Sequence, residues 1–234
     1  ATLEQPPMLD VNLYGLAGGQ RVNIVAQVTD PKPGAAGWAQ ISGENLEVDD
    51  RLIAAVDERI EIACNGTTKA VLASLHPAGK FNLDYWRINR PQPFAEPLIT
   101  TKLTVTDGRV NYDGFPYPLQ QISGVITAEG NRWIFADFQS GGRRTINGNG
   151  HLMPTQPGGP HELWLHFEGQ QIPLDEGLFW AVPEAVRSGW KMLQPNGSVN
   201  AKADVKYLLG QGVPSVGVVV GLQLGSTLRP QFFP

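Results

Sequence analysis

The chain is short of the residues that most enzyme chemistry and most nucleic-acid binding depend on. It has one cysteine and four histidines in 234 residues. The lone Cys64 has no partner for an internal disulfide, and its place near the end of an amphipathic helical stretch reads as buried packing. Charged residues make up only 17%, the formal net charge is −4 and the pI is about 5.6. Lys and Arg are scattered without a basic stripe, which argues against a nucleic-acid partner. There is no apolar run of about 18 residues and no signal-peptide pattern. In an internal piece of a longer protein, that absence is silent on the parent's targeting.

Catalytic and metal-binding patterns are equally sparse. No G-x-S-x-G elbow occurs, and Gly148-Asn-Gly150 lacks the rest of a phosphate loop. The histidines are His76, His151, His161 and His166. His161 and His166 lie five apart on or near one strand, so a period of two sends them to opposite faces, a poor arrangement for a shared metal. The acidic pairs Asp49-Asp50 and Asp175-Glu176 both open helical stretches. There a carboxylate caps free backbone N–H groups and complements the helix dipole, so Asp49 and Asp175 are expected as structural caps. Gly141-Gly142-Arg143-Arg144 is echoed by Gly18-Gly19-Gln20-Arg21 and reads as a hairpin turn before an anion site. The sequons at Asn65–Thr67 and Asn196–Ser198 read as unmodified. The sequence implies no catalytic residue, no cofactor and no metal.

What the chain does have is turn residues and alternation. Gly 27 and Pro 19 accompany an ordinary apolar fraction of 41%. That mixture fits many short strands joined by turns. Val22, Ile24, Ala26 and Val28 alternate with Asn23, Val25 and Gln27, and Leu163, Leu165 and Phe167 alternate with Trp164, His166 and Glu168. Asp107-Gly108 is a strong hairpin signal, and Phe115-Pro-Tyr-Pro-Leu reads as a stiffened corner. Val216, Val218, Val220, Leu222 and Leu224 form a long alternating strand.

The chain also repeats itself. Ile41–Phe81 and Phe167–Val199 share a strand closed by x-x-G, a Leu/Val-Asp-Asp/Glu helix start, a leucine-bearing helix and Leu-x-Pro-x-Gly. Gly43 and Gly169 are 126 apart, as are Asp49 and Asp175, while Pro77 and Pro195 are 118 apart, as are Phe115 and Phe233. The expectation is a mainly β chain with helical inserts (α+β), a curved antiparallel sheet of about two repeats with one helical segment each. The units are 1–97, 98–212 and the beginning of a third at 213–234. A chain that starts and stops mid-unit reads as a piece of a longer repetitive protein.

Three stretches carry a family resemblance: V-x-D-G-R-V-N-Y-x-G-F-P-Y-P-L with I-S-G-V-I at 105–126, F-A-D-F-x-S-G-G with I-N-G-N-G-H-L at 135–152, and F-x-G-x-x-I-P-L-D-E-x-L from Phe167. The chain resembles AsmA-like, TamB-like bacterial envelope proteins of the repeating β-groove type. The resemblance implies a non-enzymatic envelope scaffold, in or near the periplasm, that shields or conducts lipid acyl chains. Its partners would be lipid and neighbouring repeats of the same chain, with membrane contact through other parts of the parent. Lipid-facing candidates are Leu103, Val105, Val216, Val218, Val220 and Leu222. The competing readings are a structural or interaction module with a closed core, and a carbohydrate-binding β-domain using Tyr85, Trp86, Trp133, Trp164 and Trp180. What the helices at 49–75 and 175–193 cover decides between a groove and a closed core.

Overall fold

Alternating apolar and polar residues build eleven strands: β1 Met8–Ala17, β2 Gln20–Thr29, β3 Gly37–Val48, β4 Ala78–Arg90, β5 Leu98–Tyr112, β6 Phe115–Glu129, β7 Arg132–Gln139, β8 Thr145–Pro154, β9 His161–Pro173, β10 Ser198–Leu208 and β11 Ser215–Leu222. Two short helices, α1 Glu176–Ala181 and α2 Glu184–Leu193, interrupt the run between β9 and β10. This is a computed structural model, and it describes residues 6–49, 51–52, 73–141, 145–210 and 213–230. The interior of the first helical stretch, Cys64, the Asn65–Thr67 sequon, Gly142–Arg144 and Phe233-Pro234 lie outside the described residues.

The strands form one antiparallel sheet in chain order, each paired with its sequence neighbours. Hairpin-length links dictate this, since parallel neighbours need long crossovers. The Gly18-Gly19 turn has φ of 58° and 84° and closes β1 on β2 through Ala17 and Gln20. Glycine reaches that left-handed region without steric cost.

Two of the expected turns are strands instead. Asp107-Gly108 lies inside β5, where Gly79 pairs with Gly108 and Lys80 with Asp107. A Cβ on Gly108 would meet the side chains of Val105 and Ile122, so the glycine makes room between strands and does not reverse the chain. The reversal comes later, between Tyr112 and Phe115. Phe115–Leu119 then begins β6. Its prolines, Pro116 and Pro118, precede Ser123, where pairing with β7 starts, so their missing N–H groups remove no bond from that ladder. Likewise β11 ends at Leu222, and Leu224 lies beyond it, fully exposed.

Register shifts interrupt the ladders at several places, among them Gly43/Leu46, Leu83/Tyr85, Val105/Gly108 and Phe135/Phe138. Extra residues with positive φ sit at such points: Asn45 (53°), Gln121 (53°), Asp137 (55°) and Gln171 (51°). A bulge of this kind lets residues three apart face the same way and increases local twist.

The stretch after β3 and the stretch after β9 are built alike. Asp49 Oδ1 accepts from Leu52 N at 2.8 Å, and Asp175 Oδ1 accepts from Leu178 N at 2.9 Å. The bulge N–H groups of Asn45 and Gln171 donate to the side chains of Asn82 (2.9 Å) and Asn200 (3.1 Å). His76 and Gln194 take φ of 42° and 44°, and Gly79 and Gly197 take 111° and 115°. Each cap supplies a partner for orphan N–H groups at a helix start. Asp175→Ala is expected to lower stability by about 1 kcal/mol, seen as a lower urea midpoint, while Asp175→Asn leaves it nearly unchanged.

β9 is six strands on from β3, an even step in an antiparallel sheet, so both chain stretches leave the sheet on the same rim. Residues 51–52 and 73–75 are helical at the first exit, and α1 and α2 follow the second.

Candidate functional site: one apolar face of a single-layer sheet

Directly paired residues of antiparallel strands point to the same face, so the register sorts every strand. One face carries Leu13, Ile24 and Ile41, joined through the pairs Leu13↔Ile24 and Ile24↔Ile41. It continues through Trp86, Leu83, Leu103, Ile126, Phe135 and Gly150. It ends through Leu165, Val205 and Val216. The opposite face carries Asp10, Asn23, Gln40, Arg87, Lys102, Thr127, His151, Trp164, Lys202 and Lys206 by the same pairings. Among the described residues, Arg90 at the far end of β4 is the only cation in register on the apolar face, and no Asp, Glu or Lys shares it. With strands about 4.8 Å apart, eleven of them present a face about 48 Å across.

All six expected lipid-facing residues lie on this face. Leu103 pairs with Ile126 and Val105 with Gly124, and both are half-buried. Val216, Val218, Val220 and Leu222 pair with Val205, Ala203, Ala201 and Val199. They are 54–59% exposed.

The helices answer the question of cover. The buried cluster is Tyr117, Ile172, Ala181 and Val199, with Leu119, Leu174, Leu178 and Ala201 packed against it. Tyr117, Ile172 and Val199 belong to the apolar face at the helix-bearing rim, so α1 lies on that face. Among the described residues, that helical cover lies over β6, β9 and β10. Of α2 nothing is buried. Its expected apolar side, Val186, Trp190 and Leu193, touches α1 through the edge-to-face pair Phe179–Trp190 at 5.9 Å.

Among the described residues, the sheet is a single layer along most of its length. No described side chain is fully buried, and the chain exposes 15320 Å². A compact monomer of 25.4 kDa would expose about 10,000 Å². A sheet with one apolar face is stable against water only when another layer or a ligand covers it.

The aromatics do not line one strip. Trp86 and Trp133 are on the apolar face, paired with Thr101 and Leu152. Tyr85 and Trp164 are on the polar one, paired with Lys102 and His151. Trp180 is on α1, 59% exposed.

The polar face has its own network. His166 Nδ1 lies 2.9 Å from Asp204 Oδ1, its Nε2 lies 3.4 Å from Glu168 Oε1, and Lys202 Nζ donates to Glu168 at 2.6 Å. The ring stacks on Trp164 at 6.0 Å. The Asp204 hydrogen bond, opposed by partial desolvation, raises the imidazole pKa above its ordinary 6.5. The Lys202 bond, followed by His166, holds the Glu168 carboxyl below its usual value, and the same pair raises Lys202. A raised histidine pKa means that its share of stability is present below the unfolded value and fades as pH rises through the folded one. The His166 ring proton is expected to titrate in NMR with a midpoint above 6.5, and Asp204→Asn is expected to lower that midpoint. An unmoved midpoint would show that the cross-strand bond is not formed in solution.

His161 is on the apolar face, paired with Pro154 and 5% exposed, on the face opposite His166. Among the described residues, no group of three His, Cys, Asp or Glu side chains is placed to hold a metal ion. None of the described helices is long and apolar enough to cross a membrane. Comparison with protein-family models, curated proteins and solved structures finds no match to this chain.

Proposed function

We propose that this chain is a non-enzymatic, lipid-handling module whose apolar sheet face shields or conducts acyl chains. The observation that carries the reading is the largely apolar face that runs across eleven strands and that, among the described residues, carries helical cover only from α1 at one end. An acyl chain is the ligand that such a face suits. It has no polar groups to satisfy, and the one described cation on the face, Arg90, lies at the rim away from α1, so the middle of the face offers a charged headgroup no partner. Curvature of the sheet into a groove follows from strand twist and the bulges.

About two repeats, each of roughly six strands with one helical segment and the first truncated, make up this module in the proposal. The matched caps, bulges and asparagine bonds after β3 and β9 support it. We take from the AsmA-like resemblance a location in a bacterial cell envelope, on the periplasmic side. A structural module with a closed core is the second reading, favoured by the packing of α1 on Tyr117, Ile172 and Val199.

The test is native mass spectrometry of protein purified from membrane-containing cells. Phospholipid or fatty-acid adducts that survive gel filtration are expected. An adduct-free spectrum, together with no uptake of a fluorescent fatty acid, would overturn the lipid reading in favour of the structural one.

A further inference from the structure

We infer that the α1–α2 hairpin is a membrane-surface contact, seating on the headgroup layer of an anionic bilayer. Exposed on the hairpin are Trp180 (59%), Val186 (51%), Met192 (44%) and Leu193 (43%). Large apolar side chains clustered this way on a short helix mark an interaction surface more than scattered exposure does. On α2, Val186, Trp190 and Leu193 share one side by helical spacing, Arg187 and Lys191 flank it, and Glu184 and Ser188 lie opposite. A helix that is apolar on one side, carries cations beside that side and is modest in overall hydropathy is the kind that lies in the interface of a membrane.

The cations choose the occupant. Arg187 sits 5.6 Å over the Trp180 ring and Lys191 6.0 Å from the Phe179 ring. Arg229, anchored by its N–H to the Leu193 carbonyl at 2.9 Å, lines a hollow with Trp190, Lys191 and Asn196. Among the described residues, Arg187, Lys191 and Arg229 have no carboxylate within ion-pair distance. In a chain of net charge −4, three such cations beside an aromatic and aliphatic patch fit lipid phosphates above an acyl layer. The patch is also continuous with the covered end of the apolar face through α1, whose Leu178 and Ala181 pack on Ile172 and Val199.

The experiment is co-sedimentation of the full chain with vesicles of phosphatidylcholine alone and of an equimolar phosphatidylcholine–phosphatidylglycerol mixture. Binding to the mixture, weakened by salt, is expected, with a blue shift of tryptophan emission that Trp180→Phe reduces. Val186→Ser with Leu193→Glu should cut partitioning at least about tenfold, and Arg187→Gln with Lys191→Gln should remove the preference for the anionic lipid. Val219→Ser, on the polar face of β11, should change nothing. Equal binding by all variants, or loss of the exposed patch to self-association seen in sedimentation velocity, overturns the proposal. Retention of co-purified lipid by the Val186→Ser, Leu193→Glu variant keeps this outcome separate from the acyl-groove reading.

Discussion

Val218→Asp is expected to weaken binding of a fluorescent fatty acid at least about tenfold, whereas Val219→Asp leaves it unchanged. The two valines are neighbours on one strand and are 58% and 72% exposed. They differ in the face they present. Val218 pairs with Ala203 on the apolar face, and Val219 pairs with Lys202 on the polar one. A carboxylate beneath an acyl chain must either be desolvated or displace the chain, and both outcomes cost more than one tenfold step. Neither substitution buries a charge in the free protein, so folding is preserved and circular dichroism should be unchanged. Leu103→Asp, nearer the middle of the sheet, should weaken binding further and also lower thermal stability, because that side chain is half-buried. Equal losses from Val218→Asp and Val219→Asp would mean that the acyl chain does not read the face.

Gly79→Ala is expected to destabilise the fold by about 3 kcal/mol, the largest effect of any single methyl group considered. Gly79 has φ 111°, a region that side-chain-bearing residues rarely adopt, and its missing Cβ would overlap the Asp107 carbonyl on β5. Gly197, with φ 115° and its Cβ aimed at Ser226, should respond alike. Gly217→Ala on β11 is the control. Nothing lies within 4 Å of its Cβ, so its effect should stay within about 0.5 kcal/mol. Urea titration of the three variants measures this ranking, and a neutral Gly79→Ala would show that the β4–β5 approach is looser than described.

The alternation of Val22–Val28, Leu163–Phe167 and Val216–Leu222 was legible as strands because a period of two on one buried face leaves a direct trace in the residues. The caps Asp49 and Asp175 were equally plain, since both precede leucines at helical spacing. Less legible were the places where the period breaks. Asp107-Gly108 has the composition of a hairpin turn, yet it lies within β5 because Gly79 and Ile122 crowd the glycine from both neighbours. A glycine wanted for close approach and one wanted for positive φ look the same in a sequence. Bulges hid the breadth of the apolar face for a similar reason. Gly43 and Leu46, Phe135 and Phe138, and Gly169 and Ile172 share a face at a spacing of three, so strict alternation puts one of each pair on the wrong side. Had Asn45, Asp137 and Gln171 been recognised as left-handed bulge residues, the face was readable across these strands. The network of His166, Glu168, Lys202 and Asp204 was missed because it joins two strands 34–38 residues apart. Even there the alternation had already set His166 apart from His161.

The extent of helical cover was not legible. An amphipathic α2 calls for something to pack against, but only the coordinates show α1 on Tyr117, Ile172 and Val199 with α2 left outside.

The central claim is that lipid occupies one face and not the other. Methyl NMR of the Ile, Leu and Val side chains, recorded with a spin-labelled fatty acid, tests it directly. The account predicts broadening of Leu103, Val105, Leu165, Val216 and Val218, with Val25, Val125, Ile134 and Val219 on the polar face left sharp. Equal broadening on both faces, or none on either, would contradict it.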